Sequence, residues 1–275
     1  MRWQGRRKSQ NIEDRRRLSG GKKAVSIGGL IIAAIMAFLM KDASYFTNAV
    51  SQQGGQTVSH SSNSQQDQVA EFTSVILANL EDTWGKIFNQ AGLHFRQPKL
   101  VLYRDQVQSA CGFNTAASGP FYCPGDEKIY LDLSFLNELK RLGASGDFAF
   151  AYVIAHEYGH HISNLIGTLP KVHRARQRLN QRDSNRLSIL LELQADCFAG
   201  VWANHAGNQY QLLEPGDIQE GLQAAASVGD DALIGNRPEK FTHGTSQQRM
   251  QWLRAGMQSG NVGSCDTFKT AGMRL

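Results

Sequence analysis

The sequence predicts an α+β fold that is rich in helices and has a small sheet, and three observations lead to this prediction. Apolar residues recur at helical spacing from Val69 to Phe88, which indicates an amphipathic helix. Two short runs, Lys99 to Arg104 and Lys128 to Leu133, favour strands. The rest of the chain is patterned mainly as helices, at about residues 147–166, from about 171, and at 183–204, 217–228 and 246–257.

Positive charge is concentrated at the N-terminus. Residues 1–23 contain nine of the 29 Lys and Arg residues and two of the 24 Asp and Glu residues, so they carry a net charge of +7. The remaining residues contain 20 basic and 22 acidic side chains, a net charge of −2. Because this larger part of the chain is slightly negative, it has no general attraction for a polyphosphate, so we expect no nucleic-acid partner. We interpret residues 1–23 as a basic cytoplasmic tail.

An uncharged segment, AVSIGGLIIAAIMAFLM, follows this tail at residues 24–40. Its seventeen residues lie at the short end of the roughly 17–25 that cross a bilayer, and Tyr45 and Phe46 suit the far interface. We therefore predict one N-terminal transmembrane helix, an uncleaved anchor at residues 24–46. Because the positive charge precedes it, the N-terminus is expected in the cytoplasm and everything after Lys41 outside. A cleaved signal peptide and a buried core helix are the alternatives.

Residues 47–66, TNAVSQQGGQTVSHSSNSQQ, are rich in Gln, Ser, Asn and Gly and offer almost nothing to bury. This composition predicts a flexible linker. The folded domain is then expected at residues 67–275, which is long enough for a substantial core. The sequence contains no internal repeat, and it does not indicate the oligomeric state.

The segment VIAHEYGHHI, residues 153–162, contains the strongest chemical signal. His156 and His160 are four residues apart, so on a helix both imidazoles share one face and can bind one ion. Imidazole nitrogen suits zinc, and Glu157 can take a proton from a metal-bound water. This HExxH arrangement predicts a site for one Zn²⁺ ion, although so short a motif also occurs by chance. His161 points away from the ligand face, and we interpret it as structural.

A third protein ligand is required, and the segment LELQADCFAG, residues 191–200, supplies a candidate. One zinc-protease pattern would need glycine at 163 and histidine at 166, and Ser163 and Ile166 exclude it. Glu192 and Asp196 are one helical turn apart, among apolar neighbours that imply burial. We predict that Glu192 binds the zinc and that Asp196 orients a ligand histidine. A solvated acidic pair is the alternative.

Three further features complete the sequence evidence. His243 lies in a loop before the last helix, where it can reach over the zinc to stabilise an oxyanion or serve only in packing. Four cysteines, in an extracytoplasmic domain, suggest two disulfides with three possible connectivities, or else four buried thiols. Cys111 with Cys123 would close a loop, and Cys197 with Cys265 would tie the C-terminal segment to the helix of Asp196.

A stripe of cations lies between the two metal segments, at Lys171, Arg174, Arg178 and Arg182. Such a stripe is usually a solvated helix face. Contact with anionic lipid or with an acidic substrate is the alternative.

Six segments, spread over nearly the whole chain, resemble a known family. They are MRWQGRR at residues 1–7, Cys111-Gly112, GPFYCPGDEKIYLDLSF at 119–135, VIAHEYGHH at 153–161, LELQADCFAGVWA at 191–203 and FTHGTSQQR at 241–249. The chain resembles the bacterial neutral zinc metallopeptidases. This resemblance implies a zincin-like fold, one zinc ion and membrane attachment, here in the inner membrane with a periplasmic catalytic domain. It implies no particular substrate.

The resulting hypothesis is a membrane-anchored zinc endopeptidase whose partners are a peptide or protein substrate and the lipid bilayer. Glu157 would act as general base and then pass the proton to the leaving amine. The strand Lys128 to Leu133 is expected to bind the substrate backbone by edge pairing. A zinc-containing binding or regulatory membrane protein without turnover is the main alternative, and a structural membrane module with a fortuitous HExxH is a further one.

Overall fold

The computed structural model describes residues 1–16 and 60–273. The predicted anchor at residues 24–46 and most of the predicted linker lie outside the described residues. Among the helices of the described part, none is long and apolar enough to cross a membrane. Met1–Arg15 and Gln68–Leu275 form one compact unit, while a second unit, Arg16–Asp67, falls mostly outside the described residues.

The described strands form two small sheets. They are β1 (Ile12–Asp14), β2 (Lys99–Tyr103), β3 (Gln106–Ser109), β4 (Gly112–Thr115), β5 (Phe121–Cys123) and β6 (Lys128–Asp132). The larger sheet has the order β1-β2-β6-β5, in which only β5 pairs antiparallel. β3 and β4 form a separate antiparallel hairpin. The two predicted strands are confirmed as β2 and β6, but β6 lies inside the sheet. The expectation that β6 pairs with a substrate as an edge strand is therefore wrong.

The helices follow the predicted order. They are α1 (His60–Gln90), α2 (Phe135–Arg141), α3 (Asp147–Leu165), α4 (Thr168–Arg176), α5 (Gln181–Asn208), α6 (Asp217–Ser227), α7 (Asp230–Ile234), α8 (Ser246–Ser259) and α9 (Thr267–Thr270). α1 begins inside the predicted linker, because polar residues can extend a helix that the apolar residues after Val69 have nucleated. The short elements β1, β3, β4, β5, α2, α7 and α9 were not predicted, since they contain too few residues to show a period.

α3 is the central helix of the fold. Residues 148–163 are buried with the exception of His160, as expected for a helix that is apolar on all sides. α3 packs closely against α5 at Gly159, where an added Cβ would lie 2.8 Å from the carbonyl oxygen of Ala195. This close approach brings the two predicted metal segments face to face.

α1 packs against α5 in the same core. The rings of Trp84 and Phe198 meet edge to face with centroids 5.5 Å apart, and the indole of Trp202 donates to Asn79 at 2.8 Å. Burial of each such large side chain contributes about 1.5–3 kcal/mol to stability. α5, which carries Glu192, is therefore fixed on two faces.

The structure corrects the interpretation of residues 1–15 as a separate basic tail, because they belong to the folded unit. We call residues 1–15 the N-terminal strap. Its strand β1 pairs in parallel with β2. The Met1 ammonium lies 2.9 Å from Glu214, and Arg6 donates to the carbonyl of Tyr210 at 2.8 Å. The strap uses several of its basic groups in contacts with the domain, so residues 1–15 are part of it.

Glu81 of α1 is the common partner of several polar and charged residues of the strap. It is buried, and it accepts hydrogen bonds from the hydroxyl of Ser9 at 2.5 Å and the amide of Asn11 at 2.8 Å. Arg7 pairs with it at 3.2 Å and with Asp82 at 2.8 Å. These partners lie about seventy positions apart in the chain, so composition and spacing could not reveal them.

The prediction of two disulfides is confirmed, and the structure selects one of the three possible connectivities. Cys111 is bonded to Cys123, and Cys197 to Cys265. They close loops with sequence separations of 12 and 68 residues. Restriction of the unfolded chain by loops of these lengths contributes about 3 and about 4 kcal/mol. The first bond fixes the segment that leads into β5, and the second fixes α5 against the C-terminal segment.

Candidate metal centre

The structure brings His156, His160 and Glu192 together. α3 presents the two imidazoles on one face, and α5 presents the carboxylate opposite them. Nε2 of His156 lies 3.1 Å from one carboxylate oxygen of Glu192, and Nε2 of His160 lies 3.4 Å from the other. One ligand atom from each of the three residues falls within 4.8 Å of the others, so the group could hold a metal ion.

The spacing of these atoms fits zinc. In a tetrahedral zinc site with bonds of about 2.0–2.2 Å, neighbouring ligand atoms are about 3.3–3.6 Å apart. The two measured separations, 3.1 and 3.4 Å, are close to this range. Two imidazoles and one carboxylate form a ligand set typical of catalytic zinc, with a fourth position open for water or substrate.

A buried carboxylate stands behind the first histidine. Oδ1 of Asp196 lies 2.8 Å from Nδ1 of His156 and accepts the hydroxyl hydrogen of Tyr152 at 2.6 Å. Burial opposes ionisation of Asp196, but the charges of Arg249 and His156 outweigh it and lower its pKa to about 2. Asp196 therefore stays ionised and accepts a hydrogen bond from the Nδ1–H group of His156. This hydrogen bond orients the imidazole so that Nε2 faces Glu192. This is the position that the sequence predicted for Asp196.

Arg249 is the residue of this centre that sequence reasoning missed. It is 4% exposed and donates to both carboxylate oxygens of Asp196 at 2.9 Å. It also donates to the hydroxyl of Tyr152 and to the carbonyl of Val228, each at 3.1 Å. Ion pairing with Asp196 raises the pKa of Arg249 well above its usual value despite burial. Two sequence signals were available: the need of a buried Asp196 for a countercharge, and the position of Arg249 at the end of FTHGTSQQR, one of the segments that carry the family resemblance.

The electrostatics of the ligands follow from burial and mutual contact. Burial opposes protonation of His156, but Asp196 and Glu192 outweigh it and raise its pKa to about 10. Burial also opposes ionisation of Glu192, yet His160 and His156 hold the pKa of that carboxyl well below its usual range. Burial raises the pKa of Glu157, and the neighbouring histidines offset only part of this effect. Glu157 is thus the carboxyl of the site whose pKa is raised, which suits a role in proton transfer.

His243 lines the same cleft as the three candidate ligands. Its Nδ1 lies 3.2 Å from Asp230, whose other carboxylate oxygen accepts backbone N–H groups of Thr242 at 2.7 Å, His243 at 2.6 Å and Gly244 at 2.9 Å. The hydrogen bond to Asp230 raises the pKa of His243. Asp230 therefore fixes the loop and favours a protonated imidazole at the cleft.

The cleft has a volume of about 1200 Å³. β5 and the residues before it form one wall, and α2 and α4 contribute to others. β5 is the edge strand of the sheet, so its outer side is free to pair within the described part of the chain. His161 supports this strand: its Nδ1 lies 3.0 Å from the hydroxyl of Tyr122 and its Nε2 lies 2.7 Å from the carbonyl of Arg96. His161 thus lies away from the metal centre, as expected.

Comparison with known proteins agrees with this arrangement. The sequence profile of a family described as "Putative neutral zinc metallopeptidase" matches residues 1–268. The chain is 46% identical to "Uncharacterized protein YpfJ" of Escherichia coli (strain K12) over 287 aligned residues, which cover 98% of this chain and 99% of that protein. It is 41% identical over 193 residues to "Uncharacterized protein Rv2575" of Mycobacterium tuberculosis, with 64% of each chain covered. No solved structure matches the chain significantly.

Proposed function

This chain belongs to the neutral zinc metallopeptidase family, and on that premise we propose that it is a zinc-dependent endopeptidase. The observation that carries the proposal is the convergence of His156, His160 and Glu192 beside the buried carboxyl of Glu157. These four groups line one cleft large enough for a polypeptide segment. A purely structural metal site would be closed by four protein ligands and would have no use for Glu157.

The proposed mechanism assigns one role to each group. His156, His160 and Glu192 would hold a zinc ion, which would supply a Lewis acid able to acidify water and polarise a peptide carbonyl. Glu157 accepts the proton of the attacking water and delivers it to the leaving amine. Asp196 and Arg249 hold the imidazole of His156 in one tautomer and orientation.

Two further elements are proposed to bind the substrate. The free edge of β5 can pair with an extended peptide, which replaces β6 in this role. His243, protonated beside Asp230, can donate a hydrogen bond to the oxyanion that develops at the scissile carbonyl. Both elements line the cleft that contains the candidate ligands.

Attachment to a bilayer through residues 24–46 remains part of the proposal, with the catalytic domain outside the cytoplasm. The two disulfides support an oxidising compartment. The pairing of β1 with β2 bears on the topology, since one crossing between Arg16 and His60 would put the strap and the domain on opposite sides. The pairing argues against the single crossing with a cytoplasmic N-terminus expected from the sequence, and it supports an arrangement in which both flanks of this segment lie on the same side. Reporters fused before Met1 and after Leu275 would then detect the same compartment.

The peptidase proposal is tested with the full-length chain purified and supplied with zinc. We expect hydrolysis of denatured casein by the wild type and none by Glu157→Gln, with equal zinc content in the two proteins. Zinc binding without hydrolysis of casein or of a peptide library would instead favour a binding protein. Absence of zinc binding would reject both.

A further inference from the structure

A dense group of cations lies on α4 and the start of α5. Between Glu157 and Glu192 the sequence contains six Lys and Arg residues and one acidic residue, Asp183. One of the six, Arg176, lines the cleft and donates to Ser184. We call the remaining five the basic surface, and all of them are exposed: Lys171, Arg174, Arg178, Arg182 and Arg186.

The basic surface has no countercharge among the described residues. None of its five side chains forms an ion pair there, and the carboxylate of Asp183 instead accepts a hydrogen bond from Asn180 at 2.8 Å. Outside residues 166–186, the compact unit, Met1–Arg15 and Gln68–Leu275, contains 18 basic and 21 acidic side chains, a net charge of −3. The five cations of the basic surface, all within residues 171–186, therefore stand out against a remainder that carries a small net negative charge.

Two aliphatic side chains are exposed among these cations. Ile166, just before α4, is 40% exposed, and Leu179, in the turn between α4 and α5, is 43% exposed. Exposed aliphatic groups beside lysine and arginine are typical of protein surfaces that lie in the interface of an anionic bilayer. The cations attract the headgroups, and the apolar groups enter the layer beneath them.

An acidic substrate in the cleft would be bound by different residues. The cations that line the cleft already have partners, since Arg141 pairs with Glu138 at 2.5 Å and Arg176 donates to Ser184 at 3.0 Å. The five residues of the basic surface do not line the cleft. Their position favours a partner that is broad, flat and anionic.

We propose that the basic surface binds the headgroup layer of a bilayer rich in anionic phospholipid, with Ile166 and Leu179 inserted beneath the headgroups. The remainder of the domain carries a small net negative charge and is not attracted to the same bilayer, so the contact also sets the orientation of the domain. α4 contributes His173 and Arg176 to the cleft, so the cleft would open beside the bilayer. If the proposed peptidase function holds, its substrates would then be polypeptide segments close to a membrane surface.

The test uses the full-length chain with a local probe, because the apolar residues 24–40 would bind lipid by themselves. A polarity-sensitive fluorophore is attached to Leu179→Cys, since every described cysteine of the wild type is in a disulfide. The matched control carries the probe at Ile218→Cys, which is 51% exposed on α6 beside Asp217 and Glu220. The vesicles are phosphatidylcholine alone, or equal parts of phosphatidylcholine and phosphatidylglycerol.

We expect the emission of the probe at 179 to shift to the blue with the anionic vesicles only, and to be quenched by brominated lipid. High salt should reverse the shift. The probe at 218 should not respond. A probe at 179 that ignores anionic vesicles, or a probe at 218 that responds equally, would overturn the proposal.

Charge-reversal variants identify the residues responsible. The triple variant Arg174→Glu, Arg178→Glu, Arg182→Glu should lose the shift, since each cation removed weakens such binding about fivefold. The control triple, Arg237→Glu, Lys240→Glu, Arg254→Glu, changes three exposed cations elsewhere by the same total charge and should retain it. Equal loss in both triples would reject the assignment to this surface. A response of the probe at 179 to polyglutamate but not to vesicles would overturn the membrane proposal in favour of an acidic polypeptide.

Discussion

The metal centre and the N-terminal strap each depend on a buried carboxylate. The two carboxylates differ in the solvent exposure of the side chains that pair with them. Asp196, in the metal centre, is fully buried. Its partners His156, Tyr152 and Arg249 are buried as well, so the whole network is enclosed. Removing one member of such a network leaves a charge that nothing solvates.

Glu81, which receives the strap, is buried at the carboxylate but open on one side. Its cationic partner Arg7 is half exposed, so water can solvate that guanidinium if the pair is broken. Its other donors, Ser9 and Asn11, belong to a segment that can leave the surface as a whole. The comparison predicts large effects at the metal centre and graded, smaller ones at the strap.

The largest effect is expected on catalysis itself. Glu157→Gln removes the proposed base while the three candidate ligands remain, so zinc content should be unchanged and turnover should fall about 10²–10⁴-fold. Glu192→Ala removes a ligand instead, and the protein should lose zinc to a chelator that the wild type resists. Metal analysis together with casein hydrolysis distinguishes the two. Undiminished turnover in Glu157→Gln would remove this residue from the mechanism.

The second prediction concerns the enclosed ion pair. Arg249→Met removes the guanidinium that pairs with both oxygens of the buried Asp196 carboxylate, so we expect a loss of about 3–5 kcal/mol in the free energy of unfolding. Arg254→Met, on the same helix but exposed, should change it by about 0.5 kcal/mol or less. Denaturant unfolding of the two variants measures the difference.

The double variant Asp196→Asn, Arg249→Met sharpens this result. It removes both charges, so it should be more stable than Arg249→Met alone. Its zinc affinity should still be about 10–100-fold weaker than that of the wild type, because nothing orients His156. If the double variant is less stable than either single variant, the two residues do not act as a pair.

These regions also differ in how much the sequence reveals. His156 and His160, and likewise Glu192 and Asp196, are one helical turn apart, so helix geometry alone predicts which side chains share a face. The α3–α5 contact was inferable from Gly159 and the apolar neighbours. Arg249 and the strap depend on pairings across tens or hundreds of residues, for which one sequence contains no local signal. The charge count of residues 1–23 predicted a separate basic tail. In the structure, several charged groups of the strap instead form ion pairs with specific residues of the domain.

The third prediction tests the strap. Glu81→Ala should lower the free energy of unfolding by about 1–3 kcal/mol, because donors of Ser9 and Asn11 lose a charged acceptor. The control Glu71→Ala breaks only the exposed pair with Lys8 and should cost about 0.5 kcal/mol or less. Hydrogen exchange of the β1 amides should increase in Glu81→Ala and not in the control. Equal exchange in both would show that Glu81 does not hold the strap.

The smallest effect is expected at His243, and it takes the form of a shift in pH dependence. The hydrogen bond to Asp230 raises the pKa of His243, so the imidazolium persists to higher pH than in a free histidine. The contribution of a protonated His243 to turnover is therefore present below this raised pKa and is lost as the pH rises through it.

In Asp230→Asn the amide can donate to Nδ1 and favours the neutral imidazole, which lowers the pKa. We expect the alkaline limb of kcat/KM to move to lower pH, with little change at acidic pH. His243→Gln should lose this limb and reduce kcat at pH values below the raised pKa, where the wild type has a protonated His243, whereas its zinc content should equal that of the wild type. An alkaline limb that is identical in the wild type, Asp230→Asn and His243→Gln would mean that another group titrates there, and that His243 serves only to pack the loop before α8.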